Sequence, residues 1–237
     1  MKSDHIVQAF DAELQQLDKL LAKMGKLVKK QQAAALTSFL ASDVVEAKKI
    51  SKADRKIDLL EQEVVTLATQ IFALRQPMAA DLRTLVASFK IAGNLERIGD
   101  HAKNLAKRTK RVGDLPILTE ISGSLAHISK QVEAMLADAM KAYAMRDADL
   151  ALAVLRQDEE IDRLHKSLIR EVLTYMMEDP TSITAGTELL FIVKNIERSG
   201  DHITNIAEQV YYIITGRYIE AGRDLTGIDT ESVQGSN

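Results

Sequence analysis

A motif of eight residues, called the repeated phrase below, occurs twice in the sequence and has two carboxylates in each copy. The copies run from Asn94 to His101 and from Asn195 to His202, 101 residues apart. Each contains Glu-x-x-x-Asp, and residues four apart lie on one face of a helix, about one turn from each other. Such a pair repels itself, and hard cations relieve the repulsion by taking oxygen ligands. The repeat therefore indicates a site that is built twice. Its acids are Glu96, Asp100, Glu197 and Asp201.

Asp-x-x-x-Asp also occurs twice, once before each of these phrases. Asp54 and Asp58 form the first pair, and Asp158 and Asp162 form the second. If the helices that carry them are antiparallel neighbours, each half of the chain holds a cluster of four carboxylates. Four oxygen donors without cysteine suit Mg²⁺, Mn²⁺ or iron better than structural zinc. The alternative is that these aspartates are ordinary acids on a helix surface.

A helical wheel places the carboxylates of the repeated phrase opposite a core stripe. At about 100° per residue, Glu96 and Asp100 fall on the face opposite the apolar residues, and the second copy repeats this arrangement. Gly99 and Gly200 lie inside the same segments, where glycine costs about 1 kcal/mol relative to alanine. We therefore expect the acids to face away from the core, and a neighbouring helix or bound group to approach the glycines closely. The predicted core residues are Ile91, Leu95, Ile98, Ala102 and Leu105, with Ile192, Ile196, Ile203 and Ile206 in the second copy.

The histidines leave two interpretations open. His101 and His202 follow the acids by one residue, so each could border a carboxylate cluster or simply lie on the surface. Asp162-x-x-His165 is like half of a di-iron helix motif. Ferritin-like sites require Glu-x-x-His on two helices, and this spacing does not occur in the chain.

The elements that position these residues are predicted to be helices. Helix-forming residue types dominate, and runs with period two are few, which predicts an all-α protein. Residues match across the chain at a nearly constant offset, for example Phe39 with Tyr143 and Asp43 with Asp147, as in a duplicated domain. We predict two tandem pseudo-symmetric three-helix bundles with long antiparallel helices, at 1–112 and 113–218, and a disordered tail at 219–237. The helices are expected at about 5–40, 43–74, 79–110, 116–145, 147–177 and 182–215.

Composition and charge narrow the classes of function. Cysteine is absent, so neither a disulfide nor a thiolate metal site can form. The N-terminus has no signal-peptide core and no segment approaches the length of a membrane span, which predicts a cytoplasmic protein. Residues 1–112 hold 20 Lys and Arg against 13 Asp and Glu, whereas residues 113–237 hold 11 against 21. This polarity could orient the protein on a partner. No arginine-rich patch with interleaved aromatics is present, so nucleic-acid binding is not expected.

Four segments together resemble the PhoU family, the accessory proteins of the phosphate-specific transport system. The resemblance covers roughly residues 5–218 and departs from the family pattern at Ser199, where isoleucine is more common. The segments are Arg75-Gln76-Pro77-x-x-x-Asp81-Leu82-Arg83, Leu95-Glu96-Arg97-Ile98-Gly99-Asp100, Thr174-Tyr175-Met176-Met177-Glu178-Asp179 and Ile196-Glu197-Arg198-Ser199-Gly200-Asp201.

The resemblance implies a cytoplasmic regulator without catalytic activity. Members of the family repress the phosphate-starvation response when phosphate is plentiful, and connect the phosphate ABC transporter with its ATPase to a phosphate-sensing histidine kinase. It also implies a homodimer that reaches membrane complexes only through its partners, and metal ions, iron or other divalent cations, at the acidic motifs. Carried over, the metal ligands are Asp54, Asp58, Glu96 and Asp100 in the first half, and Asp158, Asp162, Glu197 and Asp201 in the second.

Three hypotheses follow for the function of the chain. The first is a regulatory adaptor whose faces contact the transporter and the kinase. The second is a carboxylate-bridged metalloenzyme, which the missing Glu-x-x-His, the absence of a nucleophile motif and the outward-facing acids disfavour. The third is a helical scaffold that binds no metal. Metal content, substrate turnover and a phosphate-dependent phenotype distinguish them.

Overall fold

Long helices make up the regular structure of the protein. The computed structural model describes the backbone of residues 2–112 and 116–219 and the side chains of residues 10–111 and 119–219. This part of the chain contains helices and no strand, which confirms the all-α prediction. Each helix has an apolar face and no proline beyond its first position. The helices are α1 (Lys2–Leu40), α2 (Val44–Ala53), α3 (Arg55–Arg75), α4 (Ala79–Val112), α5 (Pro116–Met145), α6 (Ala148–Glu178) and α7 (Ile183–Thr215), with a short 3₁₀ turn at Pro180–Ser182 before α7.

The predicted second helix is wrong in one respect, because it is interrupted at Asp54. α2 ends at Ala53 and α3 begins at Arg55. The Ile57 amide donates to the Asp54 carbonyl at 2.7 Å, three residues back, so the backbone tightens there. The matching residue of the second half, Asp158, lies inside the uninterrupted α6. The duplication is therefore not symmetric at one of the predicted site residues.

Each half of the protein packs three helical segments together. The first half combines α1, the α2–α3 pair and α4, and the second combines α5, α6 and α7. Buried positions of α1 recur in α5 104 residues later, as in Leu17 with Ile121 and Val28 with Val132. This shared burial pattern agrees with the predicted pair of pseudo-symmetric three-helix bundles.

The two bundles share one core. α4 lies antiparallel along α7, since Asn94 contacts His202 at one end of the contact and Arg108 pairs with Glu188 at the other. α1 packs along α5 in the same way. The buried apolar side chains form one cluster with members from all seven helices. The predicted boundary after residue 112 therefore does not separate two independent cores. Residues 113–115, at that boundary, and the predicted tail from 220 onward lie outside the described residues.

The turn before the second segment of each half is also duplicated. Ser42 and Arg146 both have positive φ, 51° and 52°. The next residue caps the following helix, since the Asp43 carboxylate accepts from two backbone amides and the Asp147 carboxylate from one. The sequence repeat matches Asp43 with Asp147, and the structure gives both residues the same capping role. None of the helices that the structure describes is long and apolar enough to cross a membrane.

Candidate functional site

The eight predicted acids fall into two groups, one in each half. The first cluster, at the α2–α3 junction and on the facing side of α4, contains Asp54, Asp58, Glu96 and Asp100. The second cluster, on α6 and α7, contains Asp158, Asp162, Glu197 and Asp201. The members of each cluster influence one another electrostatically: burial, and then the charges of Asp54 and Asp100, raises the pKa of Asp58, and burial, and then three neighbouring acids, raises that of Asp158. The prediction that the helices are antiparallel neighbours therefore grouped the Asp-x-x-x-Asp pair of each half with the correct Glu-x-x-x-Asp pair.

The two mid-helix glycines allow the clusters to form. A Cβ atom on Gly99 would lie 3.0 Å from Ile57 Cδ1 and 3.3 Å from Asp54 Oδ1. A Cβ atom on Gly200 would lie 3.3 Å from Asp158 Oδ1 and 3.4 Å from Ile161 Cγ2. The absence of a side chain thus lets the neighbouring aspartate approach the backbone of α4 or α7. This confirms the expected close approach of a neighbouring helix.

The first cluster is built around the buried carboxylate of Asp54, which is 1% exposed. Its Oδ1 accepts from Gln31 Nε2 at 2.7 Å, and the same amide group donates to the Gly99 carbonyl at 3.1 Å. Its Oδ2 lies 2.7 Å from Lys103 Nζ, which also lies 3.0 Å from Asp100 Oδ1. These bonds to carboxylates raise the pKa of Lys103 above its ordinary value. An ammonium group therefore occupies the centre of the first cluster.

The remaining acids of the first cluster include Asp58 on α3 and Glu96 on α4, and both are more exposed than Asp54. Partial burial, and then the charge of neighbouring acids, raises the pKa of Asp58 and of Glu96. Glu96 also lies 3.5 Å from Arg97. The wheel correctly separates these acids from the core stripe of α4, whose five predicted members are all buried.

The second cluster lacks the internal cation of the first. Thr204 stands at the position of Lys103, and buried Met135 stands at the position of Gln31. Burial, and then the charges of Asp201, Asp162 and Glu197, raises the pKa of Asp158 to about 6. Lys194 Nζ lies 2.6 Å from Glu197 Oε1, at the edge of the cluster. Lys166 Nζ lies 3.6 Å from Asp162 Oδ2, so two lysines offset part of the carboxylate repulsion, and protonation of Asp158 or a cation from solution would relieve the rest.

The donor chemistry of the second cluster suits a hard divalent cation, and that of the first does not. Four carboxylates supply oxygen ligands of the kind that Mg²⁺ and Mn²⁺ prefer. Within the described residues, no three Asp, Glu or His side chains are already arranged to hold one ion. In the first cluster, Lys103 stands between Asp54 and Asp100.

The histidines of the repeated phrase join the two halves of the protein. His202 Nδ1 lies 2.8 Å from Asn94 Oδ1, and His101 Nδ1 lies 3.2 Å from Ser199 Oγ. The two rings are 5.3 Å apart. Burial lowers the pKa of both, to about 4 for His101, so both are neutral near pH 7. Each phrase therefore has two uses: its acids face their own half, and its Asn or Ser and His side chains face the other.

The segment around Pro77 ties the helices of the first half to their neighbours. The Arg75 guanidinium donates two hydrogen bonds to Glu13 on α1, at 2.9 and 2.7 Å. Arg83 lies against Gly216 at the end of α7. Arg75 therefore has a structural partner within the chain, which its motif alone did not indicate.

Metal-free protein is expected to lose stability as the pH rises through the range set by Asp158. Its folded-state pKa of about 6 exceeds the ordinary value of 3.8, so the folded state binds the proton more tightly than the unfolded state. This group therefore stabilises the fold below about pH 4 relative to pH 7, and that advantage is lost as the pH rises through 6. Urea unfolding with chelator from pH 4 to 7 should show a shallower decline for Asp158→Asn than for wild type. Equal slopes for the two proteins would contradict the assignment, and Glu159→Gln, which removes a neighbouring carboxylate that does not shift Asp158, is the control.

Sequence reasoning missed Lys103 and Gln31. Lys103 follows Asp100 by three residues, so helical spacing could have predicted that pair. The contrast between Lys103 and Thr204 within an otherwise matched repeat was a second signal. Gln31 carried no local signal, because its partner Asp54 is 23 residues away.

Comparison with known proteins agrees with this architecture. The family model described as "PhoU domain" matches residues 21–109 and 125–210, one match in each half. A protein of Rhizobium meliloti named "Phosphate-specific transport system accessory protein PhoU homolog" is 43% identical over 216 residues, which is 91% of each chain. A Zymomonas mobilis protein of the same name is 41% identical, over 93% of this chain and 94% of its own.

Solved structures give the same result. The crystal structure of PhoU from Pseudomonas aeruginosa superposes with a TM-score of 0.82 at 38% identity, over 88% of this chain and 100% of that one. The phosphate transport system regulatory protein PhoU from Streptococcus pneumoniae gives 0.82 at 30% identity, over 89% and 99%. The matches span both bundles and both clusters, and the chain belongs to the PhoU family.

Proposed function

We propose that this protein is a cytoplasmic regulator of phosphate homeostasis, an accessory of the phosphate ABC transporter. It represses the phosphate-starvation (Pho) regulon when phosphate is plentiful, by contacts with the transporter ATPase and a phosphate-sensing histidine kinase, and it catalyses no reaction. The observation that carries the proposal is similarity across both halves, at about 40% identity, to proteins named as accessories of the phosphate-specific transport system.

Exposed apolar side chains support a role in protein–protein contacts. Leu74 at the end of α3 and Met177 at the end of α6 are 74% and 83% exposed, and Met78 and Leu173 are exposed beside them. Leu74 and Met177 occupy matching positions, 103 residues apart, next to the two interhelical prolines. Large apolar side chains grouped on a surface are typical of partner-binding sites. Because α4 and α7 are antiparallel, the side chains at the end of α3 and those at the end of α6 form two separate patches, and a homodimer would use one of them.

The second cluster is the proposed metal site of this regulator. Asp158, Asp162, Glu197 and Asp201 would hold Mg²⁺, Mn²⁺ or iron, and a bound cation would neutralise their repulsion and fix α6 against α7.

A strain that lacks the gene tests the proposed function. Alkaline phosphatase at high phosphate should be constitutive in this strain and repressed again by the wild-type gene. The double variant Glu197→Ala with Asp201→Ala should restore repression only in part and should retain less metal by elemental analysis. Glu159→Ala with Glu160→Ala, which also removes two carboxylates from the second bundle, is the matched control. Normal repression in the deletion strain would contradict the regulatory role.

A further inference from the structure

We propose that Lys103 is a built-in cation of the first cluster, so that the protein takes a metal ion in its second half only. The two copies of the acidic motif are then not equivalent. In one, the aspartate beside the mid-helix glycine is paired with an ammonium of the chain, and in the other it has no such partner and is left to an ion from solution. The metal-binding half of this inference rests on the proposed function.

Both carboxylate oxygens of Asp54 already have a close neighbour within the chain, one a hydrogen-bond donor and the other an ammonium. Oδ1 accepts from Gln31 at 2.7 Å, and Oδ2 lies 2.7 Å from Lys103 Nζ. The same ammonium reaches Asp100 at 3.0 Å, so it joins the two helices that the cluster must connect. Like a metal ion, the ammonium contacts carboxylate oxygens from two parts of the chain, Asp54 at the α2–α3 junction and Asp100 on α4. The Lys103 side chain is 26% exposed, so it is held inside the cluster rather than extended into solvent.

Metal could enter the first cluster only by expelling this ammonium. Expulsion would break both ion pairs and leave a divalent cation near a positive side chain, an arrangement that Coulomb repulsion opposes. Asp54 would also have to turn away from Gln31, although its carboxylate is buried and its backbone forms the α2–α3 junction. Breaking a buried ion pair is strongly unfavourable unless the new partner compensates fully.

The second half has the corresponding acids, but an uncharged residue stands at the position of Lys103. Thr204, the counterpart of Lys103, turns its hydroxyl to the Asp201 carbonyl at 2.7 Å and brings no charge to the cluster. Met135 cannot donate the hydrogen bond that Gln31 makes. α6 is correspondingly uninterrupted at Asp158. The second half therefore lacks the ammonium that pairs with the buried aspartate of the first, although Lys194 pairs with Glu197 and Lys166 with Asp162.

Manganese content tests the inference. Purified chain is stripped with chelator, equilibrated with Mn²⁺, separated from free ion and analysed for bound manganese. Lys103→Met removes the ammonium at similar volume, and this variant should take up about twice as much manganese as wild type because its first cluster is open. It should also gain thermal stability on adding Mn²⁺ by a larger shift than wild type. Equal uptake by the variant and wild type would overturn the proposal, as would loss of wild-type binding on substituting first-cluster acids.

A second variant, which adds an ammonium to the second cluster, tests the proposal even if Lys103→Met does not fold. Thr204→Lys places an ammonium in the second cluster, and it should lose most of the manganese that wild type binds while keeping its circular dichroism spectrum. Unchanged manganese in a folded Thr204→Lys variant would overturn the proposal. If wild type binds none, the proposed metal site of the second cluster fails. The role of Lys103 is then still decided by whether Lys103→Met gains an ion.

Discussion

Replacing Asp54 with alanine is expected to lower the free energy of unfolding by about 3 kcal/mol, the lower end of the range for breaking a buried ion pair. The carboxylate is fully buried and binds Gln31 and Lys103, which come from α1 and α4. Its loss removes the contact that joins three helical segments of the first half. The effect stays near the lower end because Lys103 keeps Asp100 and Gln31 keeps the Gly99 carbonyl.

The matching substitution in the second half is the control for this prediction. Asp158→Ala in metal-free protein should change the free energy of unfolding by no more than about 1 kcal/mol, because Asp158 is repelled by its neighbours and has no internal cation. Urea unfolding followed by circular dichroism, in the presence of chelator at pH 7, measures both variants. A loss of stability as large for Asp158→Ala as for Asp54→Ala would contradict the asymmetry between the clusters.

Residues 1–112 expressed without the second half are expected to lose cooperative unfolding altogether. α4 packs along α7 and α1 along α5, so separation exposes apolar faces of two helices in the first half. Each large apolar side chain that is uncovered costs about 1.5–3 kcal/mol. The net stability of a whole domain is only about 5–15 kcal/mol, so uncovering a few such side chains is enough. The fragment should keep helical content but melt over a broad range of temperature.

Recombination of the halves distinguishes this outcome from a fragment damaged in other ways. Residues 1–112 and 113–237 mixed or co-expressed should form a one-to-one complex by size-exclusion chromatography and regain a sharp thermal transition. Fragment 1–112 that unfolds sharply as a monomer, within a few degrees of the intact protein, would contradict the shared core. It would also make the predicted boundary after residue 112 a true domain boundary.

The asymmetry of the clusters gives the two halves different responses to conditions. The first cluster carries its own cation at any concentration of free metal, so the α2–α4 contact is constant. If the second cluster takes a cation as proposed, its charge changes with metal as well as with pH. A regulator built this way has one fixed bundle and one whose acidic face responds to the solution. Partner contacts that depend on metal are therefore expected at α6 and α7.

The sequence by itself determined most of the helices, the duplication and the four pairs of acids. Local patterns suffice for these features, since helical period, the Asp43 and Asp147 caps and the interhelical prolines each act within a few residues along the chain. The glycines predicted a close approach for the same reason: their cost within a helix is local, and a neighbour must offset it.

Only the tertiary structure decided what each member of the repeated phrase does. The acids of α4 meet Asp54 and Lys103, while His101 crosses to Ser199 of the other bundle. Which helix faces which residue depends on how α4 packs between α3 and α7, and period and spacing carry no information about that packing. The packing also decided the charge of the first cluster. The Lys103 ammonium is in contact with a buried carboxylate and so changes the site, whereas the same residue on an open helix face would be screened by water.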